Sequence, residues 1–139
     1  MKMDKKLFLL LNFLLVPLFA YNQNIIWLET EKFENRGGWT NDWQFIDQMG
    51  SPYLMATGLG DPVKDASTRF HVDKPGCYRI WLRTLDWHPP NHPGKFDVYL
   101  NNKKIDKTFG KSGNSEWIWE DGGTVNLSDT NEIFLNDLT

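Results

Sequence analysis

Between Gly76 and Trp87 the chain reads GCYRIWLRTLDW, with Tyr78, Ile80 and Leu82 alternating against Arg79, Trp81 and Arg83. A period of two puts the first set on one face of an extended strand and the second on the other. Lys95 to Ile105 repeats the pattern, with Phe96, Val98 and Leu100 set against Asp97 and Tyr99. Asn101-Asn102 then supplies two residues that tolerate positive φ, as a tight hairpin requires. Strands with one apolar face are stable only against an opposing layer. The pattern therefore predicts one half of a β-sandwich, with Tyr78, Ile80, Leu82, Phe96, Val98 and Leu100 in its core.

The remaining elements are short. Asn24 to Glu34 reads as a first strand, with Trp27, Glu29 and Glu31 at spacing two. Trp39 to Met49 fits helix or strand. Tyr53 to Ala56 and Ala66 to Val72 read as strands, separated by a turn at Gly58 to Pro62. The Gly-Leu-Gly of that turn is not a dinucleotide fingerprint, because Val63 replaces the third glycine and no helix follows. Asp86 to Gly94 carries three prolines in nine residues, which exclude helix and central strand, so it is a stiff loop. After a polar Gly/Ser stretch at Phe109 to Ser115, strands are expected at Glu116 to Trp119, Thr124 to Leu127 and Glu132 to Leu135. Asp121-Gly122-Gly123 reads as a turn between the first two. Short strands with turn signals every 8–12 residues predict an all-β fold, a two-sheet antiparallel β-sandwich.

The N-terminus has a different pattern. Lys2, Lys5 and Lys6 precede an apolar run of 13 residues, Leu7 to Phe19. That run is short for a bilayer span and suits a secretory signal peptide over residues 1–20, with a retained anchor as the other reading. Export places the remaining domain, residues 24–139, in the periplasm, the cell envelope or outside the cell, without a stable membrane span. Without residues 1–20, 12 Lys and Arg stand against 17 Asp and Glu, a net charge of −5 that disfavours nucleic acid as a partner. Cys77 is the only cysteine, so no internal disulfide forms. It is expected to be a small, partly covered side chain on the Arg79/Trp81 face.

The order of ETE, GCYRIWLRT, VYLNNKKI and EWIWEDGGTVNLSDTNEIFL resembles the galactose-binding-like jelly rolls of carbohydrate-binding module families six and thirty-five. GGW, QFIDQMGSPYL and GLGDPVKDA look like an accessory domain of exported bacterial FAD-dependent oxidoreductases and polysaccharide-degrading enzymes. The resemblance covers Ile25 to Thr139. It implies a non-catalytic glycan-binding domain or, alternatively, the N-terminal piece of a longer secreted enzyme in which this domain is a structural spacer beside a catalytic domain. Such domains continue past the Asn-Asp-Leu-Thr tail into a last strand. The resemblance therefore implies a C-terminally incomplete sandwich, with the strand at Glu132 to Leu135 left at an open edge. Their structural calcium uses first-strand acids, here Glu29 and Glu31, whose other reading is a solvated strand edge.

All seven tryptophans lie beyond residue 20, more than a core of this size needs. Sugar rings offer a flat apolar face rimmed by hydroxyls, which proteins meet with exposed indoles and nearby polar groups. The candidate carbohydrate-binding residues are Trp87, His88 and Asn91 in the stiff loop, with Trp117 and Trp119 on one strand face. Trp81 is either a platform or packing beneath the Arg79 and Arg83 stems. His88 and His92 would share a helix face at spacing four, but the prolines forbid that helix, so they are not read as a metal pair. No GxSxG, HExxH, P-loop or CxxC motif points to catalytic residues.

Overall fold

The computed structural model describes residues 24–139. The expected signal peptide, residues 1–20, lies outside the described residues. Eight strands follow in order: β1 (Trp39–Asp42), β2 (Tyr53–Ala56), β3 (Ala66–His71), β4 (Gly76–Leu85), β5 (Phe96–Leu100), β6 (Lys103–Phe109), β7 (Trp117–Leu127) and β8 (Thr130–Asp137). One single-turn helix, α1 (Ile46–Met49), joins β1 to β2. Among the described residues no helix is long and apolar enough to cross a membrane.

The strands pair antiparallel throughout, as a four-stranded sheet in the order β3-β8-β5-β6, a two-stranded sheet β4-β7 and the hairpin β1-β2. The fold is the all-β sandwich that the alternation predicts. Val98, Leu100, Ile105, Phe109, Ile133 and Leu135 from the larger sheet are buried. Tyr78, Ile80, Leu82 and Val125 of β4 and β7 pack against them, half-buried. The face chosen for β4 is therefore the inner one, and Cys77, Arg79 and Trp81 lie exposed on the other. Cys77 is more open than expected, because it sits near the start of β4 opposite exposed Asn126. The Asn101-Asn102 hairpin forms as predicted. Leu100 pairs with Lys103, and both asparagines adopt positive φ, 50° and 64°.

Three expectations are corrected. Asn24 to Glu34 is not a strand: Lys32 and Phe33 donate to the carbonyls of Glu29 and Thr30, closing a 3-10 turn over Thr30–Lys32. Its backbone joins a strand just past its end, at the isolated Asn35–Ser67 bridge, while Phe33 is buried in the core. Asp121-Gly122-Gly123 does not reverse the chain but forms a bulge inside the long strand β7. Asp121 Oδ1 accepts the Gly123 N–H, and Gly123 takes φ +82°, a left-handed conformation natural to glycine. The register slips at this point, between Arg79 and Trp81. A Cβ on Gly122 would lie 2.7 Å from Ile80 Cγ2 and 3.1 Å from Phe109 Cζ, so the bulge also lets the two layers approach closely. Finally, Glu132 to Leu135 is not at an open edge. It belongs to β8, which is hydrogen-bonded to β3 on one side and β5 on the other.

Burial decides which substitutions matter. Leu135→Ala, in the central strand, is expected to lower unfolding free energy by ~2–5 kcal/mol in denaturant titrations. Trp81→Ala, on the outer face of β4, should change it by less than about 0.5 kcal/mol. The opposite ranking would mean that β4 presents its other face to the core.

Candidate functional site

The outer face of β4 and β7 follows from their register. Leu85 lies opposite Trp117, Arg83 opposite Trp119 and Trp81 opposite Asp121. Paired residues in an antiparallel ladder point to the same side, so Trp81, Trp117 and Trp119 share the outward face. Trp87 follows two residues after Leu85, just beyond the strand end beside Trp117. The connection between β1 and β2 brings Phe45 to this end of the ladder. Its ring lies 5.5 Å from Trp87, 6.3 Å from Trp117 and 6.2 Å from Tyr53, and Tyr53 meets Trp117 at 4.8 Å. These four rings form an aromatic box. Tyr53 is buried at its base, hydrogen-bonded to Asp42, and Trp87 stands 49 % exposed at its mouth. Burial, followed by the Asp42 carboxylate, pushes the Tyr53 phenol well up, so it stays protonated.

The structure therefore brings Trp87 and Trp117 together through Phe45, and leaves Trp119 to a second pairing. Trp119 is packed edge-on against Trp27 at 5.8 Å, both indoles largely exposed. His88 and Asn91 are exposed in the same turn as Trp87, where the Asn91 and His92 N–H groups both donate to the His88 carbonyl. Trp81 is exposed beneath the Arg79 guanidinium, whose carbon lies 5.6 Å from the ring centre. Arg79 is also paired with Asp121, and that hydrogen bond, with the Gly123 N–H, holds the Asp121 carboxyl down at about 2. Phe45 and Tyr53 were not among the predicted site residues. The spacing of Trp39 to Met49 fitted two structures, and only the fold shows that Phe45 turns toward β7.

Two buried carboxylates fasten the loops around the box. Asp86 is fully buried on the inner side of β4, and its Oδ2 meets His92 Nδ1 at 2.7 Å and accepts the Gly113 N–H at 2.9 Å. One oxygen thus ties the proline-rich loop to the Gly/Ser loop. Glu120 accepts from Thr84 Oγ1 at 2.6 Å and from the Gly110 N–H at 3.0 Å, with Lys107 Nζ 3.1 Å away. Burial raises its carboxyl pKa, but the Thr84 hydroxyl, the Gly110 N–H and the Lys107 ammonium outweigh that and hold it below its ordinary value.

The acids expected to hold calcium, Glu29 and Glu31, lie at the 3-10 turn. The Glu29 carboxylate accepts the Trp27 indole N–H, and the 3-10 turn removes Glu31 from the alternating register that would have aligned the pair. No three His, Cys, Asp or Glu side chains form a metal-holding group among the described residues.

No protein-family profile matches the chain, and neither does any curated relative. Two solved structures resemble it in fold. One is a Podospora anserina GH26-CBM35 β-(1,4)-mannanase, with TM-score 0.59 and 19 % identity over 80 % of this chain and 24 % of that one. The other is a Paenibacillus cycloisomaltooligosaccharide glucanotransferase in complex with cycloisomaltoheptaose, with TM-score 0.57 and 16 % identity over 85 % of this chain and 17 % of that one. The chain thus shares its β-sandwich fold with parts of these larger proteins, and it spans about a quarter or less of each.

The Glu120 network has a pH signature. A carboxyl held below its ordinary 4.5 stabilises the fold fully above that value, and the contribution fades as pH falls through the lower folded-state value. Glu120→Gln is expected to cost about 1–3 kcal/mol at pH 7, by weakening charged hydrogen bonds to Lys107, Gly110 and Thr84. It should also flatten the loss of stability below pH 4.5. Denaturant titrations across pH 2–7 check both; an unchanged acid limb would show that Glu120 does not carry it.

Proposed function

We propose that this chain is a non-catalytic carbohydrate-binding domain that stacks a saccharide on Trp87 at the loop end of the sandwich. The observation that carries the reading is the aromatic box, in which a half-exposed indole is held edge-on by Phe45, whose ring also packs against Trp117 and Tyr53. A ring fixed in this way loses little freedom on binding, and the neighbouring His88 and Asn91 offer polar groups to hydroxyls at the rim of a sugar. Trp119 with Trp27 extends the aromatic surface along β7. The two solved structures named above are carbohydrate-active enzymes, one a β-(1,4)-mannanase and one complexed with cycloisomaltoheptaose.

The small share of those proteins that the chain spans favours a role as an accessory domain of a longer, glycan-degrading parent, with the catalytic work done elsewhere in that parent. Export completes the reading, supported by Lys2, Lys5, Lys6 and the apolar run from Leu7 to Phe19.

Titration with β-(1,4)-manno-oligosaccharides and with cycloisomaltoheptaose should shift tryptophan emission with a Kd on the order of 10–1000 μM, as fits a small open site. Trp87→Ala should abolish the response with little change in melting temperature. A destabilised Trp87→Ala, with no response of the wild type to either saccharide or to a glycan array, would leave the domain a structural spacer. Intact mass of the protein recovered from its native envelope should place the N-terminus between Tyr21 and Asn24, whereas a retained Met1 would overturn export.

A further inference from the structure

The box depends on a segment that holds itself together poorly. Helix α1 has four residues, none of them buried, and no side chain caps its N-terminus. A single turn of helix is not stable alone, because nucleation fixes several residues for one hydrogen bond. Its C-terminus closes on Gly50, which takes φ +80° and donates to the Ile46 carbonyl at 2.7 Å. The carbonyls of Gln48 and Met49 have no later helical N–H to receive. Both are met from outside: Arg83 Nη2 donates to Gln48 O at 2.8 Å and Nη1 to Met49 O at 3.2 Å. Arg83 projects from the outer face of β4, opposite Trp119, so a side chain of the rigid ladder grips the last turn of the helix whose first flank is Phe45.

We propose that Arg83 is a positioning residue for the saccharide site: by holding the C-terminal carbonyls of α1 it fixes Phe45 against Trp87 and Trp117, and so sets the angle of the Trp87 indole. Its saccharide consequence rests on the function proposed above, whereas its structural half does not. A planar guanidinium presents two N–H donors side by side to two successive carbonyls, and the cation suits the negative end of a helical turn. Lysine offers a point charge to one carbonyl at a time. The other attachments of the segment include Phe45 itself and the β1–β2 pairing, and Arg83 adds a grip on its C-terminal carbonyls. Arg83 also occupies outer-face space beside Trp119 and pairs with no carboxylate among the described residues, unlike Arg79 with Asp121. This leaves its charge for the helix end.

The test compares the wild type, Arg83→Met and Arg83→Lys. Edge-to-face contact with Phe45 shifts the indole N–H signals of Trp87 and Trp117 in proton–nitrogen correlation spectra. Arg83→Met is expected to move both, while Trp39, packed against Phe96 in the core, stays in place as the sign of an intact fold. Affinity for the saccharides titrated above should fall about tenfold, and Arg83→Lys should recover part of both effects. Unmoved Trp87 and Trp117 signals in Arg83→Met, or in Arg83→Lys should the former not fold, would overturn the proposal, as would wild-type affinity in a variant whose two signals have moved. A wild type that binds neither saccharide would overturn the binding function and this inference's saccharide half, while the indole signals still decide whether Arg83 sets the box.

Discussion

In the ladder between β4 and β7, Tyr78 lies opposite Val125 and Leu82 opposite Glu120, whereas Arg83 lies opposite Trp119 and Leu85 opposite Trp117. The alternation of these pairs separates the core from the exposed aromatic face, and a slip of one residue would exchange the two. The register is pinned at the bulge. Gly123 adopts a conformation that side-chain-bearing residues avoid, Asp121 closes the turn of backbone around it, and Gly122 leaves no room for a methyl group beneath Ile80. Arg79 then locks Asp121 from the facing strand. A local irregularity thus fixes the long-range order of both faces.

Burying carboxylates beside this ladder is costly unless each oxygen is met, and Glu120 meets that demand whereas Asp86 meets it at one oxygen only. Glu120 has an ammonium, a hydroxyl and a backbone N–H around it, a set that keeps it ionised. Asp86 gathers its partners on one oxygen, while its Oδ1 is buried without a hydrogen bond. Both reach the same stretch, Gly110 to Gly113, which has no strand neighbours of its own. The loops at this end of the sandwich are therefore shaped from inside the core. Polar residues at inward positions of β4 and β7, which a purely apolar alternation would assign to leucine or valine, mark the end where the chain departs from packing alone.

That division explains what could be read from sequence. The faces of β4 and β5 were legible because period-two alternation is a direct image of a pleated strand, and the Asn101-Asn102 hairpin because its φ demands are specific. The proline-rich loop was legible from ring constraints. The first segment was misread because alternation of Trp27, Glu29 and Glu31 is necessary for a strand but not sufficient: without a partner for its backbone, the segment closed its own hydrogen bonds in a 3-10 turn. Asp-Gly-Gly was misread because the residues that reverse a chain also permit a bulge, and only the pairing on either side decides between them. The place of β8 between β3 and β5 is a matter of topology, invisible to local pattern. Trp87 and Trp117 were found as exposed-indole candidates, but the ring that joins them, Phe45, came from a stretch whose spacing fitted either helix or strand. It contains both.

The position of the box follows from the same physics. An indole on the open sheet face, such as Trp81, is flanked by its strand and by one exposed guanidinium above it. An indole at the strand end can be approached by loops from several directions. Trp87 has the buried Asp86 before it, a proline-stiffened turn after it and Phe45 across from it. Each constraint removes freedom that a ligand would otherwise have to remove on binding. Phe45 is in turn held through a helix that cannot stand alone and an arginine that belongs to the ladder. The orientation of the exposed ring is thereby referred back to the most regular part of the fold, the register of β4 against β7.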